Sequence, residues 1–131
     1  MRKFLTIAAV CAVALAGNAG VNDNETLSKF VKESQEEIAK AGAANAEMIV
    51  EQSPFGDVIV MIEKVPVTGD QLKQVPVDMI KPELIKGLKQ ENAFPAEVVE
   101  AMGKERVNFI YRMQGTDGNS LDIFMTAADL K

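Results

Sequence analysis

The chain has no histidine and no tryptophan, and its 131 residues include one cysteine and one tyrosine. Without histidine there is no imidazole to act as a base near neutral pH, no Ser-His-Asp triad and no ordinary zinc, copper or haem site. The lone Cys11 cannot form an internal disulfide. Positive charge is also scarce: 14 Lys and Arg stand against 19 Asp and Glu, a net charge of −5. Scattered basic residues on an acidic chain make a poor partner for nucleic acid or for anionic membrane surfaces. Nor is there a glycine-rich phosphate cradle. Gly115, Thr116, Asp117 and Gly118 lack the spacing and the strand-to-helix setting of one, and they read as a turn.

One long apolar run is present, Phe4 to Ala16, and its 13 residues fall short of the roughly 20 that a spanning helix needs. Arg2 and Lys3 precede it and Gly17-Asn18-Ala19 follows. That order is a positive n-region, an apolar core and a small-residue cleavage site, so residues 1–19 read as a secretory signal peptide cut after Ala19. Ala14-Leu15-Ala16 is a second acceptable site without a polar spacer. Cys11 is preceded by Ala8-Ala9-Val10, which does not match a lipoprotein cleavage site, so a lipid anchor is not expected. With the leader go Cys11, Arg2 and Lys3, leaving 12 basic against 19 acidic residues and a net charge of −7. The mature chain, residues 20–131, is expected to be a single domain held by packing alone, exported to the periplasm or beyond.

Asn22 to Glu25 place capping residues and negative charge ahead of Leu27, Phe30, Val31, Ile38 and Ala41, which recur at helical spacing and predict a helix from Asn24 to Ala41. Its outer face carries Lys29/Glu33, Lys32/Glu36 and Glu36/Lys40 at pairing distance. Met48 to Gln52, the turn Ser53-Pro54-Phe55-Gly56 and Asp57 to Val65 read as strand, turn, strand. Val58 to Ile62 are apolar on both faces, which predicts an inner strand. Val67 to Val77 reads as irregular or as one short helical turn. Pro82 and Pro95 are read as first-turn prolines of helices over Pro82–Asn92 and Pro95–Met102, the second closed by Gly103. Val107, Phe109, Tyr111 and Met113 alternate with Asn108, Ile110, Arg112 and Gln114, and Gly115 to Asn119 turn the chain into Ser120 to Met125, a second hairpin.

A helix followed by a hairpin thus occurs twice. Two hairpins predict one antiparallel sheet of about four strands with helices packed on one face, an α+β fold. Asn108-Phe109-Ile110-Tyr111-Arg112 paired with Ser120-Leu121-Asp122-Ile123-Phe124, behind a leader and a charged helix, resembles small exported bacterial proteins of uncharacterised function. The resemblance implies a periplasmic or secreted setting and no activity.

The remaining chemistry is that of carboxylates. A pair of Asp or Glu side chains suffices for glycoside hydrolysis, yet Glu33, Glu36, Glu37, Glu97 and Glu100 read as a solvated helix surface. Asn22 to Glu25 and Asp117 to Asn119 lack calcium-loop spacing and read as cap and turn. Asn24-Glu25-Thr26 fits a glycosylation sequon, a short pattern with no eukaryotic setting to support it. Gln52-Ser53-Pro54-Phe55-Gly56 is similar in spacing to the Gln-x-Val-x-Gly hairpin of cystatin-type protease inhibitors, but Pro54 replaces the valine and no Pro-Trp loop follows. No catalytic, cofactor-binding or metal-binding residue is assigned, and no cofactor. Phe55, Gly56, Ile110 and Phe124 are the candidate interaction surface. Ile110 and Phe124 lie opposite Phe109 and Tyr111: exposed together they mark a partner surface, and covered by the helical segment they are core. The expected function is an exported, non-enzymatic module that binds a protein or a small molecule, with homodimerisation through a sheet edge a further candidate. The alternatives are a carboxylate enzyme acting on envelope polysaccharide and a cystatin-like inhibitor.

Overall fold

A computed structural model of the chain describes residues 20–42, 44–54 and 56–131. The expected leader, with Cys11 and the expected cleavage site, and Phe55 lie outside the described residues. A 3₁₀ turn, Val21–Asp23, opens onto helix α1, Glu25–Lys40, whose first turn is capped by Asn24: its Oδ1 accepts the Leu27 N–H at 3.0 Å. Leu27 and Val31 are buried, Phe30 and Ile38 pack beside them, and Lys29 meets Glu33 at 3.9 Å on the outside. The expected amphipathic helix is therefore present nearly residue for residue.

Strands β1, Ala46–Ser53, and β2, Gly56–Lys64, form the first hairpin; β3, Asn108–Gln114, and β4, Ser120–Met125, form the second. The sheet order is β1-β2-β3-β4, so β2 is an inner strand, as its two apolar faces require. The hairpins themselves are antiparallel, but they join through a parallel pairing, from Val58 beside Asn108 to Lys64 beside Gln114. The wholly antiparallel sheet expected from the sequence is thus a mostly antiparallel one within an α+β fold. The reason lies in the connection. Three helices cross between β2 and β3 and return the chain to the end at which β2 began.

Those helices depart from the expected bounds. Helix α2, Gly69–Lys73, starts with a reciprocal cap between Thr68 and Gln71, and α3 runs Val77–Gln90. Pro82 is consequently inside α3 and not in its first turn. Val77 and Ile80 continue the buried stripe of Leu84, Ile85 and Leu88 backwards past it. Pro82 and Asp78 are both exposed, so the carbonyl that Pro82 cannot serve meets water. Helix α4, Ala96–Glu105, passes through Gly103 and is closed by Arg106, which takes the left-handed conformation (φ 57°) and donates its N–H to the Met102 carbonyl. A fifth helix, α5, Ala127–Leu130, was not anticipated; Thr126 and Asp129 cap it.

Register assigns the two faces of the sheet. Met48, Val50, Ile59, Met61, Phe109, Tyr111, Met113, Ile123 and Met125 point one way and meet Leu27 and Val31 of α1, Leu84 and Leu88 of α3, and Val98, Val99 and Met102 of α4. The helices of the core therefore lie on one face. The 3₁₀ turn is tied down separately: the Asp57 carboxylate, buried at the start of β2, accepts the Val21 N–H at 2.8 Å.

Candidate functional site

The other face of the sheet carries Ile49 on β1, Val58, Val60 and Ile62 on β2, Ile110 on β3 and Phe124 on β4. None of these belongs to the main core. Ile49, Val58, Ile62 and Ile110 are half-buried, and Phe124 is 46% exposed. Ile110 and Phe124 are direct register partners. Ile110 is half-buried and Phe124 exposed, and the helices that pack against the core cluster lie on the opposite face.

Val60 is fully buried even so. Ile49 and Ile110 flank it from the neighbouring strands, and a charged bridge crosses above it. Arg112 donates from Nη1 and Nη2 to Glu51 at 2.7 and 3.2 Å, and from Nε and Nη2 to Asp122 at 2.8 and 3.0 Å. Arg112 stands level with Ile62, and Glu51 level with Val58. The line between them therefore runs diagonally over β2 at Val60. The two carboxylates hold the guanidinium proton even more firmly than usual. Each pair is bidentate, the geometry in which arginine and carboxylate bind best. The bridge divides the apolar surface into an Ile49/Ile62 side and a Val58/Ile110/Phe124 side, and it neutralises Arg112 completely.

The Asp117 turn is a structural tie. Its carboxylate accepts the Gly69 N–H at 3.0 Å and bonds Asn119, and the Gly69 bond holds it below the usual carboxylate range. Gly56 sits at the start of β2 at φ 127°, with the Arg106 carbonyl 3.2 Å from where a Cβ would stand. The positive φ favours glycine there, and a Cβ would press on that carbonyl. Gly56 stands at the β1–β2 turn against the end of α4, four residues along β2 from Val60, the register partner of Ile110. Of the candidate residues, the structure brings together Ile110 and Phe124. The sequence reading missed Ile49, Val58, Ile62 and Glu51 as their neighbours. Arg112 and Asp122 are equidistant from the hairpin turn and legible as a pair, but Glu51 joins them only through the parallel register.

No family model matches the chain, and a search of curated proteins finds no similar one. Among solved structures, a pilotin of the Vibrio vulnificus type 2 secretion system, EpsS, is similar over 82% of this chain and 96% of its own, at 15% identity and a TM-score of 0.38. The open face is accordingly read from its own geometry.

Proposed function

We propose that the protein is an exported, non-enzymatic interaction module that engages a protein partner through the open face of its sheet. The observation that carries this reading is the pairing of Ile110 with Phe124 beside Val58, apolar side chains left outside the core. Soluble domains rarely leave such side chains contiguous without a use. Charge selects the partner. Arg112 is consumed by Glu51 and Asp122, Glu47 is exposed on the same face, and residues 20–131 carry a net −7. A partner with an apolar centre and a basic rim is complementary, whereas a second copy of this chain meets like charge.

The test is site-specific photo-crosslinking in the source cell. A photoreactive residue at Phe124 is expected to give one discrete adduct that Ile110→Lys suppresses, while the same residue at Met79, exposed on α3, gives none. Equal labelling from both positions, or none from Phe124, ends this reading. Light scattering is expected to return a monomer; a dimer dispersed by Phe124→Asp would replace the foreign partner with a second copy.

A further inference from the structure

Behind the sheet, on its covered side, lies a cavity of about 490 Å³ that the open-face reading does not use. It opens between α1, the α3–α4 connection and the strands. Its floor is made by Met48, Met61 and Tyr111, and its walls by Phe30 and Ile38 of α1 and Leu88 of α3. The inner end is closed by an aromatic stack: Phe94 sits 5.3 Å from Phe30 and 4.8 Å from Phe109, edge-on to the latter. The volume falls within the range of small-molecule sites, roughly 300 to 1,000 Å³. Methionine walls adapt to the shape of what they hold.

The polar groups lie at the mouth. Ser34, Glu37, Asn45 and Glu63 line it, and no lysine or arginine does. Tyr111 is half-buried there, and its hydroxyl makes no hydrogen bond to a described residue. Water reaches that hydroxyl, so it is available to a ligand at the mouth. Apolar walls with a few convergent polar groups at one end are the usual make-up of a ligand pocket. Two carboxylates without a cation repel an anionic head group and attract a cationic one.

We propose that this cavity binds a small, mainly apolar molecule whose polar end is uncharged or cationic, with the Tyr111 hydroxyl and Glu63 meeting that end. It excludes anionic amphiphiles such as fatty acids. Glu37 is exposed and Glu63 half-buried, so neither is withdrawn from water as the proton donor of a glycosidase is. The geometry favours binding over hydrolysis.

The neutral fluorescent probe N-phenyl-1-naphthylamine tests this with the purified protein. Saturable binding is expected, with dodecylamine displacing the probe at least ten-fold more effectively than dodecanoate. Ala93→Phe, which fills the cavity, should abolish binding. Glu63→Lys, at the half-buried mouth, should reverse the order of the two competitors without loss of fold, so the proposal stays testable if Ala93→Phe does not fold. Phe124→Lys on the open face should leave probe binding unchanged. Absence of saturable binding, equal displacement by the two amphiphiles, or loss of binding in Phe124→Lys alone would each overturn the proposal.

Discussion

On the covered face Phe109, Ile123 and Met125 are sealed beneath helices, while one residue along the same strands Ile110 and Phe124 stand outside the core. Both sets are apolar and both alternate regularly, so hydrophobicity alone does not separate them. The difference is what lies across from each. The covered side meets three helix stripes, whereas among the described residues the apolar side chains of the other side stand outside the core cluster, beside the Arg112 bridge. Val60, at the centre of that face and beside the charged strap, is the one of its described residues that is fully buried. An apolar residue on that face contributes less to stability and is free to contribute to recognition.

Truncation of matched residues should break the comparison if it is wrong. Phe109→Ala leaves a cavity against Phe94 and is expected to cost about 3–5 kcal/mol, whereas Phe124→Ala should cost less than about 1 kcal/mol. Urea unfolding followed by circular dichroism measures both, and equal losses would mean that the open face is core after all. Asp57→Ala should be the next largest effect. It strands the buried Val21 N–H and is expected to cost about 1–3 kcal/mol. On the open face Arg112→Met should cost about 1–2 kcal/mol, because Glu51 and Asp122, both partly exposed, lose their cation but keep access to water. Adding Glu51→Gln and Asp122→Asn to Arg112→Met should recover part of that loss. If the triple variant is no better than Arg112→Met, the bridge is not what holds that face.

What was legible in the sequence and what was not divides along the same line. α1 and both hairpins could be read because cap, stripe and turn are local signals: Asn24, Leu27 and Val31, then Gly115 to Asn119. The start of α3 was misread because Pro82 is a strong local signal that the stripe from Val77 onward overrides. The end of α4 was misplaced because Gly103 invited a stop at Met102, three residues before the helix ends at Glu105, and an arginine supplied the left-handed residue instead. The face assignment of Ile110 and Phe124 followed from alternation, but whether a helix covered them depended on how the two hairpins join. The parallel β2–β3 pairing and the Glu51–Arg112 contact are long-range facts without a local residue signature. Hence the apolar cluster of that face was half legible: Ile110 and Phe124 were named from alternation, Ile49, Val58 and Ile62 were not, and Gly56 stands at the turn.

The smallest expected effect separates the ties of the helical side from the strap of the open face by pH. Asp129 accepts the Thr126 N–H at 2.9 Å and lies 3.7 Å from Lys81, and these hold its carboxyl below the usual carboxylate range, the Thr126 bond most of all. Asp117 is lowered in the same direction by the Gly69 N–H. A carboxyl depressed in the folded state adds stability above its unfolded value, near about 3.9, and that stability is lost as pH falls through the folded value. Asp129 is one-third exposed, which limits its share to a few tenths of a kcal/mol. Asp129→Asn should therefore lower stability slightly at neutral pH, flatten the acid limb of the stability curve, and converge with the unaltered protein near pH 2. Arg112→Met should leave the contribution of Asp129 to that limb in place. If Asp129→Asn runs parallel to the unaltered protein at every pH, the α5 cap does not bind its proton as the geometry requires.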